Sequence, residues 1–264
     1  MTVIQLINIA IRAAIRAGEK ITDIYSSVDF DIQLKEDLTP VTIADRNAHD
    51  EILRILEVSH LPVLSEEGFQ SGFDERKKWK LFWLVDPLDG TKEFIKRNDE
   101  FTVNIALIRD NRPIAGVIYI PVTGELYTGI PGTGAFRLLN PEDNCTFHTM
   151  QLSGKKLPEK PKSDEFVILV SRSHMNQETE SYIDELRKKH GSIQIARMGS
   201  SMKICRIAEG TANIYPKLGQ TMEWDTAAGH AILKAAGKNI YLTDMKTELT
   251  YNKENLQNPH FIVI

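Results

Sequence analysis

Asp86 and Asp89 stand three residues apart at the end of an apolar run, Phe82-Trp83-Leu84-Val85, with Pro87 between them and Gly90-Thr91-Lys92 after them. Two like charges in such a place repel each other and lose hydration, so their neighbourhood must offset both costs. Converging carboxylates either share a proton or hold a cation. Oxygen-only surroundings favour Mg²⁺ or a similar hard ion over zinc. Pro87 suits the second position of a tight turn, which predicts that the two side chains converge beyond the strand end, where open α/β sheets bind ligands. Gly90-Thr91 then opens a predicted helix, whose first N–H groups can take phosphate oxygens. A metal between carboxylates and a phosphate serves phosphoryl transfer to water. DPxDG also reads as a plain solvent-exposed turn, and it lacks the alternating acids of an EF-hand loop.

Two other places carry acids at the ends of elements. Glu66-Glu67-Gly68 closes a short apolar stretch, and Trp224-Asp225-Thr226 precedes a run of small residues. Taken singly, the first pair reads as an exposed acidic turn and Asp225 as the N-cap of a helix. Together with the phosphate-type turn at Gly90, three acidic sites make a joint case for one metal and phosphate centre.

These residues need elements to bring them together. Apolar Ile4, Ile7, Ile11 and Ala14 predict a helix over 3–26, and Ala48, Ile52, Leu53 and Leu56 another from Asp45 to about Val58. Residues 61–68 predict a short strand, and 101–138 a strand meander punctuated by Asn-Arg-Pro, Thr-Gly and Pro-Gly-Thr-Gly. Residues 138–165, with Pro141, Pro158 and Pro161 among few apolar groups, are the candidate boundary. Beyond it strands and helices alternate: FVILVSRS, a helix closed by Gly191, SIQIARMGSS, MKICRIAEG, TANIYPKLG and a helix closed by Gly237. The pattern predicts α/β layers with mixed sheets. The expected division is into residues 1–150, a metal- and phosphate-binding α+β subdomain, and 151–264, an α/β subdomain that contributes Asp225.

Composition narrows the class. With 264 residues, 42% hydrophobic and 26% charged, the chain suits one large domain or two intimate subdomains. A net charge of −4 excludes a broad electrostatic footprint for nucleic acid. Cys145 and Cys205 offer neither a disulfide framework nor zinc spacing, which suits a reducing cytosol. The N-terminal helix carries Arg12, Arg16 and Lys20 within its apolar pattern. It therefore reads as core-facing rather than as a signal peptide or membrane span, with peripheral attachment to the inner face of the plasma membrane as the alternative.

WLVDPLDGTKEF, with SEEG upstream and WDTAAGH downstream, resembles the magnesium-dependent, lithium-sensitive phosphomonoesterases of the inositol monophosphatase superfamily, over nearly the whole chain. DLTPVTIADRNAH, SRSH, GSSMKICRIAEG and NIYPKLG resemble its CysQ-type 3'(2'),5'-bisphosphate nucleotidase branch. The resemblance implies an αβαβα sandwich and hydrolysis of 3'-phosphoadenosine 5'-phosphate to AMP and phosphate, within sulfate assimilation. It implies that Glu66, Asp86, Asp89, Asp225 and the Leu88 carbonyl hold two or three Mg²⁺, with inhibition by Li⁺ and Ca²⁺. Asp45 and Thr91 then polarise the attacking water, and Gly90 and Thr91 hold the scissile phosphate. Substrate contacts fall to Glu66, Leu88, Asp89, Asp225, His174, Ser200, Lys203 and Lys217. Lys217 stands where many relatives carry arginine, which puts a point charge in place of a planar fork. His174 also reads as a satisfied, partly buried histidine, and the two lysines as solvated surface charges. The implied partner is a small nucleotide, bound by a monomer or homodimer.

Three other readings compete. The same chemistry can serve inositol monophosphate or fructose 1,6-bisphosphate. A haloacid-dehalogenase-type phosphatase works through an aspartyl-phosphate, but its acids are spaced DxD rather than DPLD. A non-catalytic phosphate or metal sensor has no use for a water-orienting Asp45–Thr91 pair.

Overall fold

The computed structural model describes residues 1–26, 33–34, 40–68, 71–159, 165–172 and 175–264. In the first half the order is α1 (Val3–Tyr25), β1 (Gln33–Leu34), β2 (Pro40–Val41), α2 (Ile43–Leu56), β3 (Val63–Ser65), α3 (Phe73–Arg76), β4 (Leu81–Asp89) and α4 (Thr91–Ile95). A meander follows: β5 (Thr102–Arg109), β6 (Arg112–Ile120), β7 (Glu125–Ile130) and β8 (Gly134–Leu139), then α5 (Phe147–Ser153) and β9 (Lys155–Leu157). The second half runs β10 (Phe166–Ser171), α6 (Gln177–His190), β11 (Ile193–Met198), α7 (Met202–Glu209), β12 (Tyr215–Lys217), α8 (Glu223–Ala235), β13 (Ile240–Leu242) and β14 (Phe261–Val263).

Strands β3 to β9 form one seven-stranded sheet in sequence order, parallel between β3 and β4 and antiparallel elsewhere. Its central strands read as unbroken apolar runs because both faces are covered. Trp83 and Val85 of β4 turn to the core shared with α1 and α2, whereas Phe82 and Leu84 turn to the core shared with α7 and α8. Beyond α7 and α8 lie the parallel pair β10–β11 and the antiparallel trio β12–β14–β13. Ile183 and Leu186 of α6 join a third core with Ile168 of β10, Ile262 of β14 and Ile214, just before β12. Helix, sheet, helix, sheet and helix thus stack as five layers, an αβαβα sandwich with mixed sheets.

The small residues of α8 have a packing reason. A Cβ on Gly116 of β6 would meet the Ala228 carbonyl oxygen at 2.2 Å. The helix therefore lies almost on the backbone of the sheet, and Ala227, Ala228, Ala231 and Ile232 are buried. In α1, Ile7, Ile11 and Ala14 are buried as expected, but Ile4 is 51% exposed. The apolar face of α1 is covered within the fold, and no helix among the described residues is long and apolar enough to cross a membrane.

Residue 150, the expected division between subdomains, lies inside α5. The prolines of 138–165 mark an excursion that returns to the same sheet, since β9 pairs with β8 and Phe147 and Met150 fill the first core.

A buried ionic network fastens α7 to the large sheet. Arg206 donates to both Glu125 carboxylate oxygens at 2.9 and 3.0 Å and to Glu209 at 3.0 Å, while Arg137 reaches Glu209 at 2.6 Å and Glu159 at 2.8 Å. Burial alone would raise the Glu125 pKa, but hydrogen bonds from Arg206 and Tyr127 bring it down from 4.5 to about 2. A depressed carboxylate pKa stabilises the fold fully above the unfolded value, and that contribution is lost as pH falls through the folded value. Arg206→Met is expected to cost about 3–5 kcal/mol by taking from buried Glu125 the guanidinium that holds both its oxygens, while Glu209 keeps Arg137. Denaturant titrations at neutral pH read that cost, which should shrink as the pH is taken below 4.5 towards 2. An unchanged midpoint at neutral pH would contradict it.

Candidate active site

The DPLD segment is not the expected tight turn. β4 continues through it, pairing Asp86 with Asn104 and Asp89 with Thr102 of β5. Pro87 and Leu88 thus oppose Val103 alone, a β-bulge that tolerates a residue with no N–H to give and re-aims the flanking side chains. The Leu88 N–H donates to Asp86 Oδ1 at 3.1 Å, which fixes that carboxylate. Gly90 follows at φ 97°, and α4 begins at Thr91. A Cβ on Gly90 would meet the Glu100 carbonyl oxygen at 2.8 Å and Ser200 Cβ at 3.3 Å, so glycine is required by space as well as by φ.

Three carboxylates from three elements in two layers converge here. Glu66 follows β3, Asp86 lies in β4 just before its bulge and Asp225 sits in the first turn of α8, and each offers an oxygen within 4.8 Å of the others. Asp225 is not the N-cap of α8 but its third residue, accepting the Met222 N–H at 2.9 Å on Oδ2. Asp86 is 1% exposed, and its Oδ2 has no hydrogen-bond partner among the described residues. Burial, then Glu66, Asp89 and Asp225, push the Asp86 pKa well above the carboxylate range. Burial, then Asp89 and Glu66, do the same for Asp225. Asp89 stands beside the three with Oδ2 taken by the Ser201 N–H at 2.6 Å and Oγ at 2.7 Å. Burial raises its pKa, while Ser201 and Lys203 oppose the rise.

The donors fit a hard divalent cation. All are oxygen, one buried carboxylate oxygen is orphaned, and the carboxylates repel until a positive charge joins them.

Asp45 faces the same centre from α2, whose first turn begins at Ile43 rather than at Asp45 itself. Its Oδ2 accepts from the Thr42 N–H and hydroxyl at 2.7 and 2.6 Å, closing a capping box visible in the sequence as Thr-Ile-Ala-Asp. Its Oδ1 accepts from the Thr91 hydroxyl at 2.9 Å, and the Leu88 carbonyl lies 3.3 Å from the same hydroxyl. With its hydrogen directed to Asp45, Thr91 Oγ1 keeps lone pairs for a water.

A cleft of 170 Å³ opens beside the carboxylates, between Asp89-Gly90 and residues of the second half that include Ser200, Lys203, Tyr215 and Lys217. Neither lysine is a solvated surface charge: Lys203 is 4% and Lys217 8% exposed. Burial, opposed chiefly by Asp89, lowers the Lys203 pKa to about 8. Its ammonium donates to the carbonyls of Met198 and Ser200 at 3.1 and 2.6 Å, so it braces the β11–α7 turn besides lining the cleft. Burial also lowers the Lys217 pKa, against Asp225 and Asp89. Ser200 sits at the mouth with φ 43°, a strained conformation for a residue with a side chain. His174 lies outside the described residues.

Several functional neighbours carry no spacing signal. Ser201 looks equivalent to Ser200 in sequence, yet it is Ser201 that grips Asp89. Arg172 lines the cleft, held by Glu100 at 2.6 Å, and the Glu100 carboxylate also takes the Gly199 N–H at 2.7 Å.

The model of the inositol monophosphatase family matches residues 3–260. The chain belongs to the inositol monophosphatase family. Within it, the chain is 40% identical to the 3'(2'),5'-bisphosphate nucleotidase CysQ of Escherichia coli K12 over 251 residues, 94% of each protein. It is 34% identical to the CysQ of Haemophilus influenzae over 264 residues, 98% of this chain and 92% of that one. The crystal structure of CysQ from Bacteroides thetaiotaomicron, a bacterial member of the inositol monophosphatase family, matches with a TM-score of 0.89 at 50% identity, covering 97% of this chain and 95% of that one. An inositol monophosphatase/NADP phosphatase solved with Mg²⁺ and phosphate shares the fold at 18% identity and a TM-score of 0.70, over 94% and 85% of the two chains. The inositol monophosphatase family uses Mg²⁺.

Proposed function

We propose that the protein is a Mg²⁺-dependent phosphomonoesterase that removes the 3'-phosphate of 3'-phosphoadenosine 5'-phosphate, giving AMP and phosphate. The observation that carries the chemistry is the orphaned Asp86 oxygen among convergent carboxylates, with the Asp45–Thr91 hydrogen bond at the same centre. The CysQ likeness over 94% of the chain and the lysine-lined cleft support the substrate class.

Glu66, Asp86 and Asp225, with Asp89 and the Leu88 carbonyl, would hold the cations. When bound, Mg²⁺ neutralises this cluster and polarises phosphate oxygens and water. The remaining work belongs to the chain. Thr91 Oγ1, its own hydrogen given to Asp45 Oδ1, accepts a proton of the attacking water and fixes its orientation. The water oxygen bonds to phosphorus, the bond from phosphorus to the 3'-oxygen breaks and that oxygen takes up a proton from solvent to leave as the AMP 3'-hydroxyl, while Thr91 and Asp45 carry the water's proton away to solvent. Gly90 and Thr91 N–H groups take the scissile phosphate. Ser200, Lys203, Lys217 and His174 take the rest of the nucleotide, in the half that follows residue 150.

Phosphate release decides between substrates. The purified protein in Mg²⁺ is expected to turn over 3'-phosphoadenosine 5'-phosphate at least about tenfold faster than inositol 1-phosphate or fructose 1,6-bisphosphate, because only the nucleotide fills both the centre and the cleft. Chelation should abolish the rate. Faster hydrolysis of an inositol phosphate would move the substrate, and no release from any phosphomonoester would leave a sensor.

A further inference from the structure

Ser201 touches two of the proposed ligand residues from opposite halves of the fold, Asp89 and Asp225. It lies at the turn between β11 and α7, is 3% exposed, and gives both its N–H and its Oγ to Asp89 Oδ2. The same Oγ is 2.7 Å from the backbone carbonyl oxygen of Asp225. A hydroxyl has one hydrogen and two lone pairs. One lone pair is taken by Asn104, whose Nδ2 donates to Ser201 Oγ at 2.9 Å. The Asn104 amide is fixed in turn, because Thr102 Oγ1 donates to its Oδ1 at 3.0 Å. Thr102 is 0% and Asn104 1% exposed. They are also the β5 partners of Asp89 and Asp86 across the bulge. The chain from Thr102 through Asn104 and Ser201 therefore closes back on the strand end that bears the carboxylates, and leaves the Ser201 hydrogen only Asp89 Oδ2 or the Asp225 carbonyl to serve.

The Ser201 N–H on Oδ2, with the one hydroxyl hydrogen shared between Oδ2 and the Asp225 carbonyl, holds the Asp89 carboxylate in one rotation and leaves Oδ1 free of Ser201. The contact to the Asp225 carbonyl sets the first turn of α8 against the end of β4. Pre-ordering of this kind lowers the cost of gathering ligands from separate layers.

We propose that Ser201, oriented by Asn104 and Thr102, is a positioning residue that holds Asp89 and the start of α8 in register for the divalent cation, so that its hydroxyl governs cation affinity rather than substrate affinity. This rests on the metal-centre reading above.

The test titrates metal-free protein with Mn²⁺, following free Mn²⁺ by electron paramagnetic resonance, for wild type, Ser201→Ala, Ser201→Thr and Asn104→Leu. Phosphate release is measured in parallel against Mg²⁺ and against nucleotide at saturating Mg²⁺. Ser201→Ala is expected to raise the Mn²⁺ Kd and the half-saturating Mg²⁺ concentration about tenfold, some 1.4 kcal/mol. KM at saturating Mg²⁺ should stay within about twofold, because the Ser201 N–H still reaches Asp89. Ser201→Thr keeps the hydroxyl and should stay within about threefold of wild type. Asn104→Leu, which frees the hydroxyl to turn, should weaken Mn²⁺ in the same direction, and it answers the question should Ser201→Ala fail to fold. Wild-type Mn²⁺ affinity in both Ser201→Ala and Asn104→Leu overturns the proposal, as does a raised KM with an unchanged Mn²⁺ Kd. Wild type that binds Mn²⁺ but releases no phosphate sinks the phosphatase reading instead, and leaves the comparison of affinities intact.

Discussion

Asp86→Asn is expected to abolish phosphate release while leaving the metal-free protein as stable as wild type or more so. The two halves of that result come from one fact. Asp86 is 1% exposed, with an unpartnered oxygen and carboxylate neighbours, so its charge is a burden on the metal-free fold. The amide keeps the shape and removes the charge, which relieves both desolvation and repulsion. The same change takes a charged donor from the cation, for which an expected loss of about 10³-fold in kcat corresponds to roughly 4 kcal/mol of transition-state stabilisation. Thermal melts read the other half. Without metal, the variant should melt at or a few degrees above wild type; with Mg²⁺, wild type should gain and the variant should not, because a ligand stabilises only the state that binds it. A fall of more than about 5 °C in the metal-free melt, over 1 kcal/mol for a chain of this size, would assign Asp86 a structural role.

Asp45→Asn is the complementary case, with kcat lost and binding kept. Asp45 Oδ1 accepts the Thr91 hydroxyl, and its Oδ2 caps α2 through Thr42. An amide can keep one of these acceptor contacts but cannot take a proton. The expected fall in kcat is about 10²–10⁴-fold, the range for a proton acceptor acting in the transition state. The disturbed cap costs about 1 kcal/mol of stability. Asp45 is not among the three converging ligands, so KM for nucleotide and the Mn²⁺ Kd should stay within about threefold of wild type. Full turnover in this variant would remove Asp45 and Thr91 from the chemistry.

Residue types and spacing reveal the chemistry of this chain better than its geometry. Asp86 and Asp89 at the end of an apolar run raise a cation as one of two readings, since nothing else but a shared proton makes two buried charges tolerable there. The turn inferred from Pro87 was wrong because proline in a strand normally marks its end, whereas here a bulge places Pro87 and Leu88 against Val103 and lets β4 run on. Asp225 looked like an N-cap because the helix start was placed at the acid; α8 begins two residues earlier, at Glu223. The five layers follow from strand and helix alternation only as α/β layers, and it was the family resemblance that gave their order. Burial of Lys203 and Lys217 left no mark in the sequence, because it depends on α7 and β12 meeting across the cleft. Nor could adjacent serines be told apart: the φ of 43° at Ser200 is what turns Ser201 towards Asp89. The change of composition near residue 150 was real, but β9 returns to pair with β8 beyond it.

The most direct test of the centre is anomalous diffraction from crystals soaked in Mn²⁺. Strong peaks are expected among the carboxylates of Glu66, Asp86 and Asp225, with the orphaned oxygen of Asp86 in direct contact with one of them. Carboxylates that turn apart, with no anomalous signal between them, would contradict the metal centre and the hydrolase built on it.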